Sequence, residues 1–294
     1  MFKILKKCLM IVIWFVFAIK AEDSDWDTRI VKTEKVSFQV ETYADGFEIP
    51  WGMAFLPDNR MMVTDRIGDL WIVEKDGKDK VKVSGEIPNV RSKGQGGMLD
   101  VAVHPDFNTN SYIYLSFSDY SENKSHTSLI RAKLVNNSLV NSQIIFRPEE
   151  KFFTKRSLHF GSRIIFDDKG FIFFCIGDRG DRDLAQNLDM PNGKIYRIRD
   201  DGTVPIDNPF YYTKGAIKSI WSYGHRNPQG LAIHPSTRQL WEAEHGPRGG
   251  DEVNIILRGH NYGWPVITYG KNYSGTIISK LTHHEGMDLS LIHI

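Results

Sequence analysis

Four β-hairpins that share one sequence pattern constrain the fold more than any other feature of this chain. Each begins with a glycine or small polar lead-in and an apolar triplet, then continues through a turn rich in Pro, Asp and Asn into a second strand that ends in a polar residue. The triplets recur at intervals of about 50 to 65 residues, at 53–55, 101–103, 164–166 and 231–233. Repeats of this period that each hold antiparallel strands are typical of β-propellers. Because the lead-in and the turn recur together, the pattern favours a propeller over a β-sandwich with unrelated hairpins.

The composition is that of a globular protein with no nucleic-acid partner. The chain has 294 residues and a net charge of +1, from 37 basic and 36 acidic side chains. This balance produces no strong positive field, so binding to nucleic acid is not expected. No long amphipathic helix stands out, which agrees with an all-β fold.

The first 21 residues have the organisation of a secretory signal peptide. Three lysines precede an apolar run, 8–19, that is too short to cross a bilayer comfortably, and Ala21 and an acidic stretch follow. The sequence therefore predicts a signal peptide at 1–21, an N-terminal extension at 22–44, a periplasmic or secreted protein, and no membrane association after cleavage. Ile19 fits position −3 of a cleavage site poorly, which leaves an uncleaved N-terminal anchor as the alternative.

The two cysteines indicate that no disulfide framework supports the fold. Cys8 would leave with the signal peptide, and Cys175 would then be alone. Stability is therefore expected to come from the core or from bound ions.

The residues just ahead of the apolar triplets are predicted to meet at one mouth of the propeller channel. Equivalent positions in successive blades form a ring around the central axis, and these positions hold Trp51, Gln95, His159 and the pair Arg226–Asn227. An aromatic ring, an amide, an imidazole and a guanidinium around one funnel form a site for a flat, polar, anionic ligand.

His159 and Asp178 are candidates for an acid–base pair. Asp178 ends the second strand of the hairpin that His159 precedes, so it is within reach across the hairpin. A carboxylate that accepts from one imidazole nitrogen leaves the other nitrogen free to take a proton. The alternatives are an ordinary surface histidine and an aspartate that caps a turn.

Arg226 and the segment 244–265 complete the candidate chemistry. In a funnel, Arg226 would bind a carboxylate or stabilise a developing oxyanion, whereas its alternative is a surface ion pair. The segment combines carboxylates with Gly-Pro turns, and oxygen donors of this kind suit calcium. Its spacing does not match an EF-hand, and an ordinary glycine-rich loop is the alternative reading.

Four motifs together resemble the soluble aldose sugar dehydrogenases that use pyrroloquinoline quinone (PQQ). They are "GQGGMLDVAVHPDF", "LHFGSRIIFD", "IWSYGHRNPQGLA" and "EHGPRGGDEVNI…GHNYGWP". The resemblance extends from about residue 45 to about residue 287. It implies a six-bladed β-propeller with PQQ lying flat over the top of the channel.

The resemblance also implies roles for individual residues. His159 resembles the family's general base, and Asp178 matches a carboxylate that orients this base in some members, while others have Glu there. Gln95, Arg226 and Asn227 resemble cofactor contacts.

Two calcium sites are implied in the same way. The carbonyl groups of Gly246 and Pro247 resemble ligands of the calcium beneath the cofactor. Glu252 and Tyr262 resemble ligands of a second, structural calcium.

The implied function is oxidation of an aldose sugar at the anomeric carbon to the lactone. His159 would remove the hydroxyl proton while hydride passes to the quinone, with calcium and Arg226 stabilising the charge that arrives there. The sequence does not name the electron acceptor. The alternatives are a calcium-dependent propeller lactonase or hydrolase, in which several carboxylates would surround the metal, and a catalytically silent propeller that binds proteins.

The end of the chain predicts an incomplete propeller. Four hairpins are visible where six blades are expected, so 45–287 is interpreted as a C-terminally truncated propeller domain with an open sheet edge. The last residues, 288–294, are interpreted as a non-native tail, since "LSLIHI" resembles the translation of a sequencing adapter. The natural protein is therefore expected to be longer, and this chain is expected to bind PQQ weakly at best.

Overall fold

Each predicted hairpin forms two adjacent strands of one of four sheets in the computed structural model, which describes residues 28–288 and 290–293. The predicted signal peptide, 1–21, lies outside the described residues. The chain divides into two compact units, Met1–Gly46 and Phe47–Ile294. The described part of the first unit holds an antiparallel hairpin of β1 (Thr28–Lys32) and β2 (Ser37–Glu41).

The second unit contains the four sheets, which follow one another along the chain. Sheet 1 consists of β3 (Pro50–Phe55), β4 (Met61–Asp65), β5 (Asp69–Val73) and β6 (Lys80–Lys82). Sheet 2 consists of β7 (Ser84–Gly85), β8 (Met98–Val103), β9 (Tyr112–Ser121), β10 (Lys124–Val135) and β11 (Ser138–Phe146). Sheet 3 consists of β12 (Ile164–Phe166), β13 (Ile172–Ile176), β14 (Lys194–Ile198) and β15 (Ile220–Tyr223). Sheet 4 consists of β16 (Pro228–Ile233), β17 (Leu240–Glu244), β18 (Glu252–Ile256) and β19 (Ile292–His293).

The sheets are antiparallel except for the short strand β7, which pairs in parallel with β11. Helical structure in the described residues is limited to a short helix α1 (Phe107–Asn110) and two 3₁₀ turns, Glu150–Phe152 and Arg182–Gln186. The prediction of an all-β, propeller-like fold is therefore confirmed at the level of four sheets. Six blades remain a prediction.

Consecutive sheets pack against each other through apolar side chains. One cluster joins sheets 1 and 2 through residues such as Met62, Ile72, Val101 and Leu115. A second cluster joins sheets 2 and 3, and a third, which includes Cys175, joins sheets 3 and 4. Burial of each large apolar side chain contributes about 1.5–3 kcal/mol, so these interfaces hold the sheets in order. Cys175 is a buried member of this core, where burial raises the pKa of its thiol.

The chain end provides the last strand of sheet 4. In β19, His293 pairs with Glu252 and Ile292 pairs with Val253 of β18. The residues interpreted from the sequence as a non-native tail thus take part in a sheet. Backbone pairing does not depend on the origin of a segment, so that interpretation stays a prediction. In the described part of the chain, no helix has the length and apolar character needed to span a membrane.

Candidate functional site

The residues predicted to meet at the channel mouth line one cleft, here called the mouth cleft, of about 370 Å³. Its lining consists of Gln95, His159, Arg226, Asn227, Gln229, His245, Gly246, Pro247, Asp251 and Tyr273. The volume falls in the range of roughly 300–1,000 Å³ that is usual for small-molecule sites. Trp51, predicted for the same ring, does not line this cleft and instead packs its ring 5.0 Å from the Arg163 guanidinium carbon.

A smaller recess of about 100 Å³, here called the side pocket, adjoins the mouth cleft. The two share His159, Arg226, Pro247 and Tyr273, and the side pocket adds Asp178, Gly180, Arg182, Trp264, Asn272 and Ile278. His159 therefore lies where the two spaces meet.

His159 is held in an uncommon backbone conformation by Gln95. Its φ of 53° lies in the left-handed region, which is rare for residues other than glycine and concentrates at functional sites. The His159 N–H donates to Gln95 Oε1 over 2.7 Å, and the Gln95 N–H donates to the Ser157 carbonyl over 2.8 Å. The Gln95 amide oxygen is thus used to fix His159, which leaves the amide NH₂ for a ligand.

The imidazole of His159 pairs with Asp178 as the sequence suggested. His159 Nδ1 lies 2.6 Å from Asp178 Oδ1. An ionised carboxylate only accepts hydrogen bonds, so this contact assigns the proton to Nδ1 and leaves Nε2 as the acceptor. The same Oδ1 accepts the Gly180 N–H over 2.7 Å, so Asp178 also caps a turn.

The second oxygen of Asp178 has its own donor. Trp264 Nε1 donates to Asp178 Oδ2 over 2.9 Å. Asp178 is 1 % exposed and Trp264 is 7 % exposed, so this bond is shielded from water. Trp264 lies in the "GHNYGWP" motif, but no sequence pattern connects it with Asp178, 86 residues earlier.

Arg226 is buried in the site and forms no surface ion pair. Its Nη1 donates to the carbonyl groups of His245 and Gly246 over 2.7 and 2.6 Å. Its guanidinium carbon is 5.5 Å from the centre of the Trp264 ring. The side chain of its neighbour Asn227 accepts the Gly161 N–H over 3.3 Å.

Glu244, which the sequence did not single out, fixes the turn that carries Arg226 and Asn227. Glu244 Oε2 accepts the backbone N–H groups of Arg226 and Asn227 over 2.5 and 3.1 Å. Glu244 Oε1 lies 3.3 Å from Nδ1 of the buried His225. Glu244, the polar residue at the end of β17, thus binds the main chain just before β16.

Sheet 1 uses the same device at the equivalent position. Asp65, the last residue of β4, accepts the N–H groups of Glu48 and Ile49 over 2.7 and 2.9 Å. In the sheet registers, Asp65 faces Pro50 as Glu244 faces Pro228. The polar end of the second strand in the repeat is therefore a cap for the chain that enters the first strand. In sheet 3, Asp178 instead pairs with a side chain, the imidazole of His159.

Glu244 belongs to a buried group of acidic side chains on β17 and β18. Ligand atoms of His225, Glu242 and Glu244 all lie within 4.8 Å of one another. Burial raises the pKa of Glu242 well above its usual value, and the nearby Glu244 raises it further. Burial, again with the charge of Glu244, raises the pKa of Glu252 to about 8.

The oxygen donors around Gly246 fit a hard cation. Gly246 and Pro247 line the mouth cleft together with the carboxylate of Asp251, which accepts the Gly246 N–H over 2.8 Å. Main-chain carbonyls combined with a carboxylate are a donor set that calcium accepts. The Gly246 carbonyl already faces one cation, the Arg226 guanidinium, so its oxygen is oriented toward positive charge.

Glu252 and Tyr262 lie apart from the mouth cleft and share a small cavity that Thr268, Asp288 and Ser290 also line. The Tyr262 hydroxyl donates to the Ile255 carbonyl and accepts the Leu257 N–H. Because this hydroxyl is already hydrogen-bonded to the main chain at Ile255 and Leu257, Tyr262 would bind a cation through its main-chain carbonyl. With the side-chain oxygens around it, the cavity also fits a hard cation.

The mouth cleft fits PQQ in its chemistry as well as in its volume. PQQ is a flat, anionic quinone, and the cleft offers it the Arg226 guanidinium and the amides of Gln95 and Asn227. Among the residues that line the mouth cleft, Asp251 is the single carboxylate, which differs from the carboxylate-rich metal site expected of a propeller hydrolase.

Comparison with known proteins gives a consistent result. The family model described as glucose/sorbosone dehydrogenase matches residues 47–293. An aldose sugar dehydrogenase of Escherichia coli K12 is 44 % identical over 242 residues, which cover 80 % of this chain and 64 % of that protein. Quinoprotein glucose dehydrogenase B of Acinetobacter calcoaceticus is 29 % identical over 274 residues, which cover 84 % of this chain and 56 % of that protein.

A solved structure has the same fold over most of the chain. The PQQ-bound aldose sugar dehydrogenase of Streptomyces coelicolor superposes with a TM-score of 0.72 at 28 % identity, covering 91 % of this chain and 71 % of that one. The chain thus spans less than two thirds of the length of the two curated relatives, 64 % and 56 %.

Proposed function

Because the chain belongs to the glucose/sorbosone dehydrogenase family, we propose that its protein oxidises aldose sugars at the anomeric carbon, with PQQ as cofactor and the lactone as product. The observation that carries this proposal is the His159–Asp178 pair, which opens onto the same cleft as the Arg226 guanidinium. The family likeness supports the class of reaction, and the geometry supports the roles of the residues.

His159 acts as the general base. With Nδ1 bonded to Asp178, its Nε2 takes the proton of the anomeric hydroxyl, and the Asp178 carboxylate stabilises the imidazolium that forms. General-base catalysis of this kind accelerates a reaction by about 10²–10⁴-fold. The rigid backbone of His159, bonded to Gln95, keeps Nε2 directed at one point.

Gln95, Asn227 and Arg226 would hold PQQ, and the carbonyls of Gly246 and Pro247 would hold a calcium ion beside it. PQQ supplies, when bound, a quinone that takes up the hydride from the sugar. Arg226, fixed by two carbonyls, presents its positive charge where negative charge develops. Glu252 and Tyr262 would hold the second, structural calcium.

The wider setting follows from the same proposal. The four sheets belong to a six-bladed propeller, and the protein works in the periplasm or outside the cell on free sugars. The substrate is an aldose, and the electrons pass to an acceptor outside this chain.

The test uses the protein loaded with PQQ and calcium and assayed with a panel of aldoses and a dye acceptor. We expect a red-shifted quinone absorption band on loading and reduction of the dye with at least one aldose. The variant His159→Gln should keep the absorption band but lose turnover by at least about 100-fold, the scale of a lost general base.

If the protein binds no PQQ and instead hydrolyses lactones in the presence of calcium, the proposal is contradicted and the alternative of a calcium-dependent hydrolase is favoured. Near-normal turnover in His159→Gln would refute the role of His159 while leaving the family assignment intact.

A further inference from the structure

Trp264 has no role in the mechanism above, yet it touches both halves of the site. We infer that Trp264 is a positioning residue that fixes the Asp178 carboxylate and, through it, the His159 imidazole. The inference rests on the proposed function for its catalytic consequence, but its geometric content stands on the contacts alone.

The indole donates to the Asp178 oxygen that His159 does not use. Asp178 Oδ1 faces His159 Nδ1 and the Gly180 N–H, whereas Oδ2 accepts from Trp264 Nε1 over 2.9 Å. The terminal torsion of an aspartate is intrinsically broad, so donors on one oxygen alone leave the carboxylate plane free to rotate. A donor on the second oxygen fixes that plane and therefore the direction of the hydrogen bond to His159.

Trp264 is itself held by its main chain. Its N–H donates to the Gly224 carbonyl over 2.9 Å, and its carbonyl accepts from Gln186 Nε2 over 2.7 Å. Gly224 begins the turn that carries Arg226, whose guanidinium carbon lies 5.5 Å from the indole ring. The Trp264 side chain thus contacts the His159–Asp178 pair and also packs beside the Arg226 guanidinium.

Other tryptophans of the chain show that an indole donor is not partnered by default. Among the described residues, Nε1 of Trp71, Trp221 and Trp241 is buried without a hydrogen-bond acceptor. Trp264 differs from these three because its donor reaches a buried carboxylate. That specific pairing agrees with a role in orienting the carboxylate rather than only in filling space.

The first experiment removes the donor and keeps an aromatic ring. In Trp264→Phe, kcat for aldose oxidation should fall by about 10- to 100-fold, as is usual when a partner that orients a functional group is lost. KM and PQQ affinity should stay within about twofold, because the ring beside Arg226 remains.

Trp71→Phe is the matched control, since it deletes an indole N–H that has no acceptor, in sheet 1. Its kcat should equal that of the wild type. An equal loss of kcat in both variants, or a loss of PQQ affinity that accounts for the change in Trp264→Phe, would overturn the inference.

A double-mutant cycle separates positioning from general damage. If Trp264 acts through Asp178, then Trp264→Phe should cause no further loss of kcat in an Asp178→Ala background. Additive losses would mean that Trp264 acts by another route, and would contradict the inference.

A readout without turnover keeps the inference testable if the protein oxidises no aldose. The sequence has seven tryptophans, so the indole ¹H–¹⁵N signals of labelled protein are few, and the signal missing in Trp264→Phe identifies Trp264. That signal should shift and exchange faster with solvent in Asp178→Ala, and the His159 ring signals should shift in Trp264→Phe.

Unchanged signals in both variants would show that the indole does not hold the pair. An inactive wild type with these shifts present would refute the proposed function and leave the positioning role of Trp264 supported.

Discussion

Replacement of Glu244 by alanine tests whether a single carboxylate organises the cofactor turn. The substitution removes the acceptor of two buried backbone N–H groups, those of Arg226 and Asn227. A buried donor left without a partner costs about 1–3 kcal/mol, so the two together should lower the free energy of unfolding by roughly 2–6 kcal/mol. At about 2–4 °C per kcal/mol for a domain of this size, Tm should fall by roughly 4–24 °C.

Two control variants isolate the cause. Glu244→Gln also removes the charge, and with it the repulsion from Glu242 and Glu252, but keeps an oxygen that can accept both N–H groups. The difference in Tm between the alanine and glutamine variants therefore measures the lost acceptor and the lost side-chain packing, free of the change in charge. Asp65→Ala removes the equivalent cap of sheet 1. Asp65 accepts the N–H groups of Glu48 and Ile49, which do not line the mouth cleft.

The assay combines thermal unfolding by circular dichroism with titration of PQQ at saturating calcium. Glu244→Ala and Asp65→Ala should both be destabilised, but only Glu244→Ala should lose PQQ affinity, because only its turn carries the residues proposed to contact the cofactor. Equal melting temperatures for Glu244→Ala and Glu244→Gln would refute the reasoning. Equal PQQ affinities for Glu244→Ala and Asp65→Ala would show that the turn does not depend on its cap.

The remaining predictions concern calcium and pH. Chelation of calcium from loaded protein should lower Tm and release PQQ, since an ion present at about 100 times its Kd adds about 2.7 kcal/mol to stability; a melting curve that chelator leaves unchanged would contradict both calcium sites. Burial raises the pKa of Asp100 from 3.8 to about 6, although the Arg163 guanidinium lowers it. Because the folded-state pKa is the higher one, the stability that this carboxyl contributes below about pH 4 is lost as pH rises through about 6. Tm of the wild type should therefore fall relative to that of Asp100→Asn over this interval, and parallel curves would contradict the assignment.

The sequence repeat was sufficient to predict the hairpins and four of the ten residues that line the mouth cleft. Both follow from local rules, because a repeat fixes which positions are equivalent and equivalence fixes which side chains face the channel. Gln95, His159 and Arg226 were found in this way and do line one cleft. Trp51 occupies an equivalent position but does not line the cleft. Its ring packs against the Arg163 guanidinium, whose carbon lies 5.0 Å from the ring centre.

Contacts between distant segments could not be predicted in the same way. Trp264 reaches Asp178 only because the chain after β18 returns to the start of the Arg226 turn, where the Trp264 N–H donates to the Gly224 carbonyl. The cap formed by Glu244 could have been predicted from the repeat. It is the polar residue at the end of a second strand, the position that the repeat reserves for a cap, as Asp65 shows in sheet 1.

The polar contacts of the site run from one sheet to the next. Gln95, just ahead of β8 in sheet 2, accepts the His159 N–H ahead of sheet 3 over 2.7 Å. Asp178, two residues after β13 of sheet 3, donates its own N–H to the Arg226 carbonyl ahead of sheet 4 over 2.7 Å, and Arg226 in turn donates to the Gly246 carbonyl. Each candidate functional residue is therefore positioned by the neighbouring sheet as well as by its own. The distance between the His159 imidazole and the Arg226 guanidinium consequently depends on how sheets 3 and 4 pack. The apolar cluster between these sheets, which includes Cys175, therefore contributes to setting that distance.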